Sequence, residues 1–174
     1  DVYKRQFFNS AGIFVNSLDT VKGSVNEGGI RVPTIATWPN KIKPGTQSNH
    51  PSIFYDYFAT VCDILEVEPP YKIDGLSYYP TLIEKPQKAH DYLYWEFPGY
   101  KGQQAIRMGS WKGYKKNLNI ENVDLQLYDL SKDPKELNDL ASEYPKIVKK
   151  MINFMDQAHT TPAIKRFIMP VLEK

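Results

Sequence analysis

The residues best suited to chemistry gather in one stretch, Val21–Pro33, where VKGSVNEGGIRVP sets Lys22 ahead of Glu27, Gly28, Gly29 and Arg31. A lysine ammonium is a compact point charge on a flexible stem and suits an anionic oxygen. The neighbouring glycines Gly23, Gly28 and Gly29 permit positive φ and close approach of backbone to a ligand. If the apolar run that follows is a parallel-type strand, this turn lies at a sheet edge, where α/β folds build sites. The same spacing also fits a surface lysine on a glycine-rich connection, and Glu27 and Arg31 then read as structural partners that shape the turn. Both readings stay open on the residues alone.

Other chemistry-bearing residues are more scattered. His50, in SNHPS, belongs to a polar loop. In EFPGYKGQQ, Glu96, Tyr100, Lys101 and Gln103 offer an aromatic platform with donors and acceptors that suit a sugar, or else an exposed hairpin loop. Cys62 lies mid-helix in TVCDIL and reads as a small core residue. His90 precedes a strand and is expected at the surface or a strand end. His159 closes the last helix, where the dipole favours an imidazolium. Asp129-x-Ser131-x-Asp133 has the look of a calcium loop, but Pro134 stands where an EF-hand needs glycine. No metal ligands are assigned.

The elements that must position these groups follow from periodicity. Ile30–Trp38 is rich in β-branched residues and reads as a buried strand, apolar on both faces. Phe54, Tyr57, Phe58, Val61, Ile64 and Leu65 recur at helical spacing, so a helix is expected over 54–66 with that stripe as its buried face. Asp56 or Ser52 caps its start and EPP closes it. A helical turn is expected near Pro80. Tyr92–Phe97, Gln104–Met108, Trp111–Lys115 and Leu125–Leu130 read as short strands, the earlier ones separated by Gly99, Gly102 and Gly109-Ser110, which suggests an antiparallel meander. Trp95 and Trp111 fall in these strands as core residues. Asp133-Pro134-x-Glu136 has the order of a helix start. Ile147, Val148, Met151, Phe154, Met155 and Ala158 form the stripe of a final helix, and the segment after TTP reads as a loose tail.

Bulk properties bound the answer. A chain of 174 residues with 41% hydrophobic and 24% charged residues can bury a real core. Its 22 basic and 20 acidic residues leave a formal charge of +2, which gives no general pull toward nucleic acid or an anionic membrane. One cysteine excludes an intramolecular disulfide framework. No apolar run approaches the roughly 20 residues that span a bilayer. Asp1–Gln6, DVYKRQ, translates GAT GTG TAT AAG AGA CAG, the mosaic-end DNA of transposase-based sequencing libraries, so residues 1–6 are read as adaptor sequence. The fold expected is α/β: residues 7–87 form the end of an α/β catalytic domain, and 88–174 a small α+β subdomain and tail.

Taken in order, Lys22-x(4)-Glu27-Gly28-Gly29-x-Arg31-x-Pro33 with Trp38-Pro39, then KIKPGTQSNHPSIFYDYFATVCDIL, IDGLSYYPTL, HDYLYWEF, AIRMGSWKGYK and LYDLSKDPKELNDLA, resemble the formylglycine-dependent sulfatases of the alkaline-phosphatase-like superfamily. The resemblance runs from Phe7 to about Thr161. FFNSAG also resembles the stretch after that family's metal-binding Asp-Asn-Gly. The resemblance implies that Lys22 contacts the substrate sulfate and stabilises its oxygens as the S–O ester bond breaks. It places the loop of His50 near the pocket rim, and the loops of the C-terminal subdomain beside the active site. It implies a parent enzyme in which a calcium-supported formylglycine hydrate attacks sulfur, assisted by lysine and histidine groups.

The family's Cys/Ser-x-Pro/Ala-x-Arg segment and paired aspartates normally precede the lysine and are absent here, so a C-terminal fragment, inactive alone, is expected. The implied partners are a sulfated small molecule or carbohydrate and the missing N-terminal part of the same domain, with a periplasmic or secreted location. A phosphodiesterase or phosphonate monoester hydrolase relative is the alternative within the fold. A non-catalytic glycan-binding module over 88–160 is the alternative outside enzymology.

Overall fold

The computed structural model describes residues 23–120 and 123–173. In chain order these form α1 (Glu27–Ile30), α2 (Asp56–Ile64), α3 (Tyr79–Leu82), β1 (Leu93–Phe97), β2 (Gln103–Met108), β3 (Trp111–Lys116), β4 (Gln126–Asp129) and α4 (Pro145–Ala158), followed by 3-10 turns at Lys165–Phe167 and Pro170–Leu172. Contacts divide them into one unit of residues 23–33 with 92–173 and a second of residues 34–91.

The first unit is built on the meander. Its four strands lie in the order β1-β2-β3-β4, every pair antiparallel. Period-two alternation sends neighbouring residues to opposite faces, and both faces are covered, so Ala105 and Ile106 are each fully buried. On one face Ile106, Leu125 and Leu127 pack against Met151 and Met155 of α4, with Trp111, Ile147 and Phe154 around them. The other face carries Ala105, Tyr114 and Tyr128, and Val25 closes it with Ile30, Trp95 and Phe97 alongside. The layer on this second face is therefore the very segment that follows Lys22 in sequence.

Several expectations are corrected. Ile30–Trp38 is not a strand: Ile30 ends α1, and the following residues are irregular and exposed, Ile35 at 92%. A β-branched run becomes a strand only when a neighbour takes its backbone groups, and among the described residues none pairs with it. Asp133-Pro134-x-Glu136 does not open a helix. The Asp133 carboxylate accepts the N–H groups of Leu137 and Asn138, while Glu136 turns to a φ of 56° and aims its side chain inward. The segment after TTP is not loose, because Met169 is 1% exposed and lies against Gly102.

In the second unit the helix is present but its buried side differs. α2 buries Asp56, Ala59, Thr60 and Cys62, whereas Phe54, Tyr57, Phe58 and Leu65 of the apolar stripe are exposed. The buried side wins through polar pairing. Asp56 accepts the N–H groups of Ile53 and Leu76, each at 2.9 Å, and Thr60 Oγ1 accepts that of Tyr78 at 3.0 Å. The helix ends before the prolines. Glu66 takes a φ of 57°, and N–H groups of Glu66 and Val67 return to the carbonyls of Asp63 and Cys62, a Schellman closure.

His90 is no surface group: its Nε2 lies 2.8 Å from Asp56 Oδ1 and its side chain is 10% exposed. Gly75 shares this tight packing, since a Cβ there would stand 2.4 Å from the Tyr55 carbonyl oxygen. Backbone cannot swing aside as a side chain can, so Gly75→Ala is expected to destabilise the protein by about 1–3 kcal/mol. Urea titration would read this as a lower midpoint with an unchanged slope; an unchanged midpoint contradicts it.

Candidate functional site

Lys22 lies outside the described residues, and the segment that follows it is held in detail. Gly23 takes a φ of 95°, a conformation that glycine adopts without strain. A Cβ on it would meet the Tyr100 ring at 2.4 Å. The Gly23 carbonyl accepts from Gln103 Nε2 at 3.0 Å, and the Val25 N–H donates to Gln103 Oε1 at 3.2 Å. Ser24 Oγ donates to Asn26 Oδ1 and accepts the Asn26 N–H. Asn26 then leads into α1, where Gly28 and Gly29 are helical. Of the three glycines that permit positive φ, Gly23 uses it, and Gly28 and Gly29 do not, because a helical turn needs only ordinary φ. Arg31 closes the turn with its N–H on the Glu27 carbonyl.

Below this segment sits a buried ion cluster. Lys112 is fully buried, with Nζ 3.0 Å from Glu27 Oε1 and 2.8 Å from Glu136 Oε1. The second oxygen of Glu136 accepts the Glu27 N–H at 2.8 Å. Arg107 Nη1 stands 3.9 Å from Glu27 Oε2. One buried cation thus faces two buried carboxylates, with the part-exposed Arg107 beside them, and burial of either sign alone would be expensive. Alternation explains the convergence: Gln103, Ala105 and Arg107 of β2 share a face with Lys112 and Tyr114 of β3, and that face meets Val25 and Ile30.

The remaining candidates are dispersed. Tyr100 is 75% exposed, both it and Lys101 have positive φ, and the Tyr100 ring lies beside Gly23. Gln103, in contrast, is buried with both ends of its amide engaged. Glu96 points to the opposite face of the sheet, where it accepts from the Tyr94 hydroxyl and Gln104 Nε2 and lies 2.7 Å from His159 Nδ1. Burial first, and then the hydrogen bond to Glu96, push the Tyr94 phenol well above its ordinary range. His50 belongs to the second unit, where burial holds its pKa below the usual histidine value, opposed by Asp56 and aided by His90.

Lys112 was not singled out in the sequence, and Glu136 only as part of an expected helix start. The one available signal was a strand alternation that put a lysine between Trp111 and Gly113 in a short apolar meander.

Among the described residues no group of three or more His, Cys, Asp or Glu could hold a metal ion, and Cys62 is buried in α2. These residues therefore fit neither calcium nor a formylglycine nucleophile. No helix among them is long and apolar enough to cross a membrane.

The described residues thus form a mixed α/β chain with a four-stranded antiparallel meander, one long helix and the Glu-Gly-Gly segment packed against the sheet. Residues 21–161 match the family described as N-sulphoglucosamine sulphohydrolase, C-terminal, and the chain belongs to that family.

It is 33% identical over 144 residues to an uncharacterized sulfatase of Schizosaccharomyces pombe, covering 76% of this chain and 26% of that protein. It is 29% identical over 154 residues to the N-acetylgalactosamine-6-O-sulfatase of Bacteroides thetaiotaomicron, covering 80% and 29%. Among solved structures it resembles a protein in complex with its substrate D-glucosamine-2-N,6-O-disulfate, at TM-score 0.59 and 25% identity over 75% of this chain and 27% of that one. Ps i-CgsB, solved in complex with k-i-k-neocarrahexaose, is similar at TM-score 0.62 and 25% identity, covering 75% and 29%. The chain thus spans about a quarter to a third of the length of these relatives.

Proposed function

We propose that this chain is the C-terminal portion of a sulfatase that hydrolyses sulfate esters of carbohydrates, with Lys22 contacting the sulfate. The observation that carries the reading is the family match over residues 21–161, which includes Lys22 and extends through both units. The sugar sulfates in the names and titles of the similar proteins support a carbohydrate substrate. Residues 7–87 then close the catalytic domain and 88–174 form its C-terminal subdomain.

The reaction splits the ester S–O bond with water, giving an alcohol and inorganic sulfate. Lys22 offsets negative charge on the sulfate oxygens as that bond breaks. Tyr100, exposed beside Gly23, supplies a ring face for the sugar, and its chain neighbour Lys101 a donor. Calcium and formylglycine, as the parent's cofactors, would supply charge neutralisation and the nucleophile. The family resemblance puts the residues for both ahead of Lys22. Export to the periplasm or beyond fits the same reading.

The test uses the complete protein with sulfated monosaccharides and matched phosphate and phosphonate esters, following inorganic sulfate by ion chromatography. Release of sulfate, faster than that of phosphate, is the expected result. Turnover of phosphate or phosphonate esters without sulfate release overturns the reading.

A further inference from the structure

We propose that residues 161–173 form a closed loop that braces the turn at 98–102, with Met169 the positioning residue for Tyr100. Its functional part rests on the reading of Tyr100 as a ring face for the sugar. The turn that bears Tyr100 is conformationally costly. Tyr100, Lys101 and Gly102 take φ of 50°, 72° and 80° in succession, and two of the three carry a Cβ that disfavours this left-handed region. Such a turn persists only where its surroundings over-determine it.

Those surroundings converge on Gly102. Its own N–H donates to the Gly99 carbonyl at 3.1 Å. From the stretch after β3, the N–H groups of Leu118 and Asn119 donate to the carbonyls of Gly102 and Lys101, at 3.2 and 2.8 Å. Asn119 Nδ2 adds a bond to the Pro98 carbonyl at 3.1 Å. Met169 packs on the same spot: a Cβ on Gly102 would stand 2.9 Å from its Sδ and 2.6 Å from Asn119 Oδ1. Gly102 is thus enclosed between Asn119 and Met169, whose side chain is buried. An unbranched thioether suits an irregular gap of this kind.

Met169 is delivered there by chain that closes on itself. The Thr161 hydroxyl donates to Glu173 Oε2, and Glu173 Oε1 lies 3.5 Å from His159 Nε2. His159 Nδ1 lies 2.7 Å from Glu96 Oε1, which ties the base of the loop to β1. The 3-10 turns at Lys165–Phe167 and Pro170–Leu172 shape the interval. Ends held together around an inward side chain make a compact loop rather than a tail. The family match stops at residue 161, so the brace lies beyond the matched region. A ring held in one orientation searches less space for a sugar face, which favours binding.

The test uses the complete protein, with hydrogen exchange, thermal unfolding and steady-state kinetics on whichever sulfated monosaccharide of the panel above releases sulfate fastest. Met169→Ala is expected to speed exchange at Gly102, Leu118 and Asn119. Its KM should rise about 3- to 10-fold, with kcat within about twofold of the parent. Met169→Leu, close in volume, should restore both readouts. Glu173→Ala opens the closure at a part-exposed position; it should show the same pattern at about 2- to 3-fold and serves where Met169→Ala does not fold.

A residue that acts through Tyr100 adds nothing once Tyr100 is gone, so Tyr100→Ala with Met169→Ala should share the KM of Tyr100→Ala alone. A merely structural role would raise KM equally in both backgrounds. That additivity, or unchanged KM and exchange in the folded single variants, overturns the proposal. If the panel yields no sulfate, or Tyr100→Ala leaves KM unchanged, the sugar reading fails and the role of Met169 falls with it. Exchange at Gly102 reports separately whether Met169 holds the turn.

Discussion

Replacing Lys112 with methionine is expected to destabilise the protein by about 3–5 kcal/mol, the usual consequence of stranding buried charges by removing one partner. Lys112 is fully buried and sits within 3.0 Å of one oxygen from each of Glu27 and Glu136. Methionine matches the length of the aliphatic stem, so the loss isolates the ammonium. Without it two carboxylates share a desolvated space, with Arg107 3.9 Å from one of them, and one of them must protonate or drag in water. The electrostatic origin is separable from packing. Lys112→Met combined with Glu27→Gln and Glu136→Gln removes the stranded charges while keeping an acceptor for the Glu27 N–H, and should recover most of the loss. Equilibrium urea unfolding of the complete protein measures both. A single variant within 1 kcal/mol of the parent, roughly the value of an exposed pair, would show that the cluster does not stay dry.

The cluster also marks where the sequence is mute. The meander was legible because alternation and glycine punctuation are local signals, and β1 through β4 fall within a residue or two of the expected bounds. The final helix was legible for the same reason, its stripe ending on Met151 and Met155 against the sheet. The ion cluster is not local. It joins residues 27, 112 and 136, and a lysine inside a strand carries no mark of a buried partner more than 80 positions away. The Asp-Pro-x-Glu segment misled because its helix-start residues are employed otherwise: Glu136 adopts positive φ to reach Lys112. Ile30–Trp38 misled because strand propensity describes fitness for a pleated neighbour, and α2 because a buried aspartate with three partners outweighs an aromatic stripe. Gln103 was noticed as polar and loop-adjacent, yet its first-strand position and burial are properties of the pairing with β3.

The sharpest consequence for function falls on the one residue whose chemistry the motif singles out. In the complete protein, Lys22→Ala is expected to lower kcat for sulfate ester hydrolysis by about 10²- to 10³-fold, equivalent to about 2.7–4 kcal/mol of transition-state stabilisation. The size follows from preorganisation. In the proposed role, an ammonium held against the sulfate would stabilise charge as it redistributes toward the breaking S–O bond, with no solvent reorganisation needed to replace it. The sulfate is anionic in the ground state as well, so KM should also rise, by less than kcat falls. Lys22→Arg should restore only part of the rate, since a planar fork does not reproduce a point charge on a flexible stem. The fold should be indifferent, because the described anchors of this segment are Gln103, Glu136 and Lys112 acting on Gly23, Val25 and Glu27. Steady-state kinetics beside thermal unfolding checks each part. A Lys22→Ala enzyme within about threefold of the parent rate, less than 1 kcal/mol, would remove Lys22 from the chemistry and leave the turn as scaffold alone.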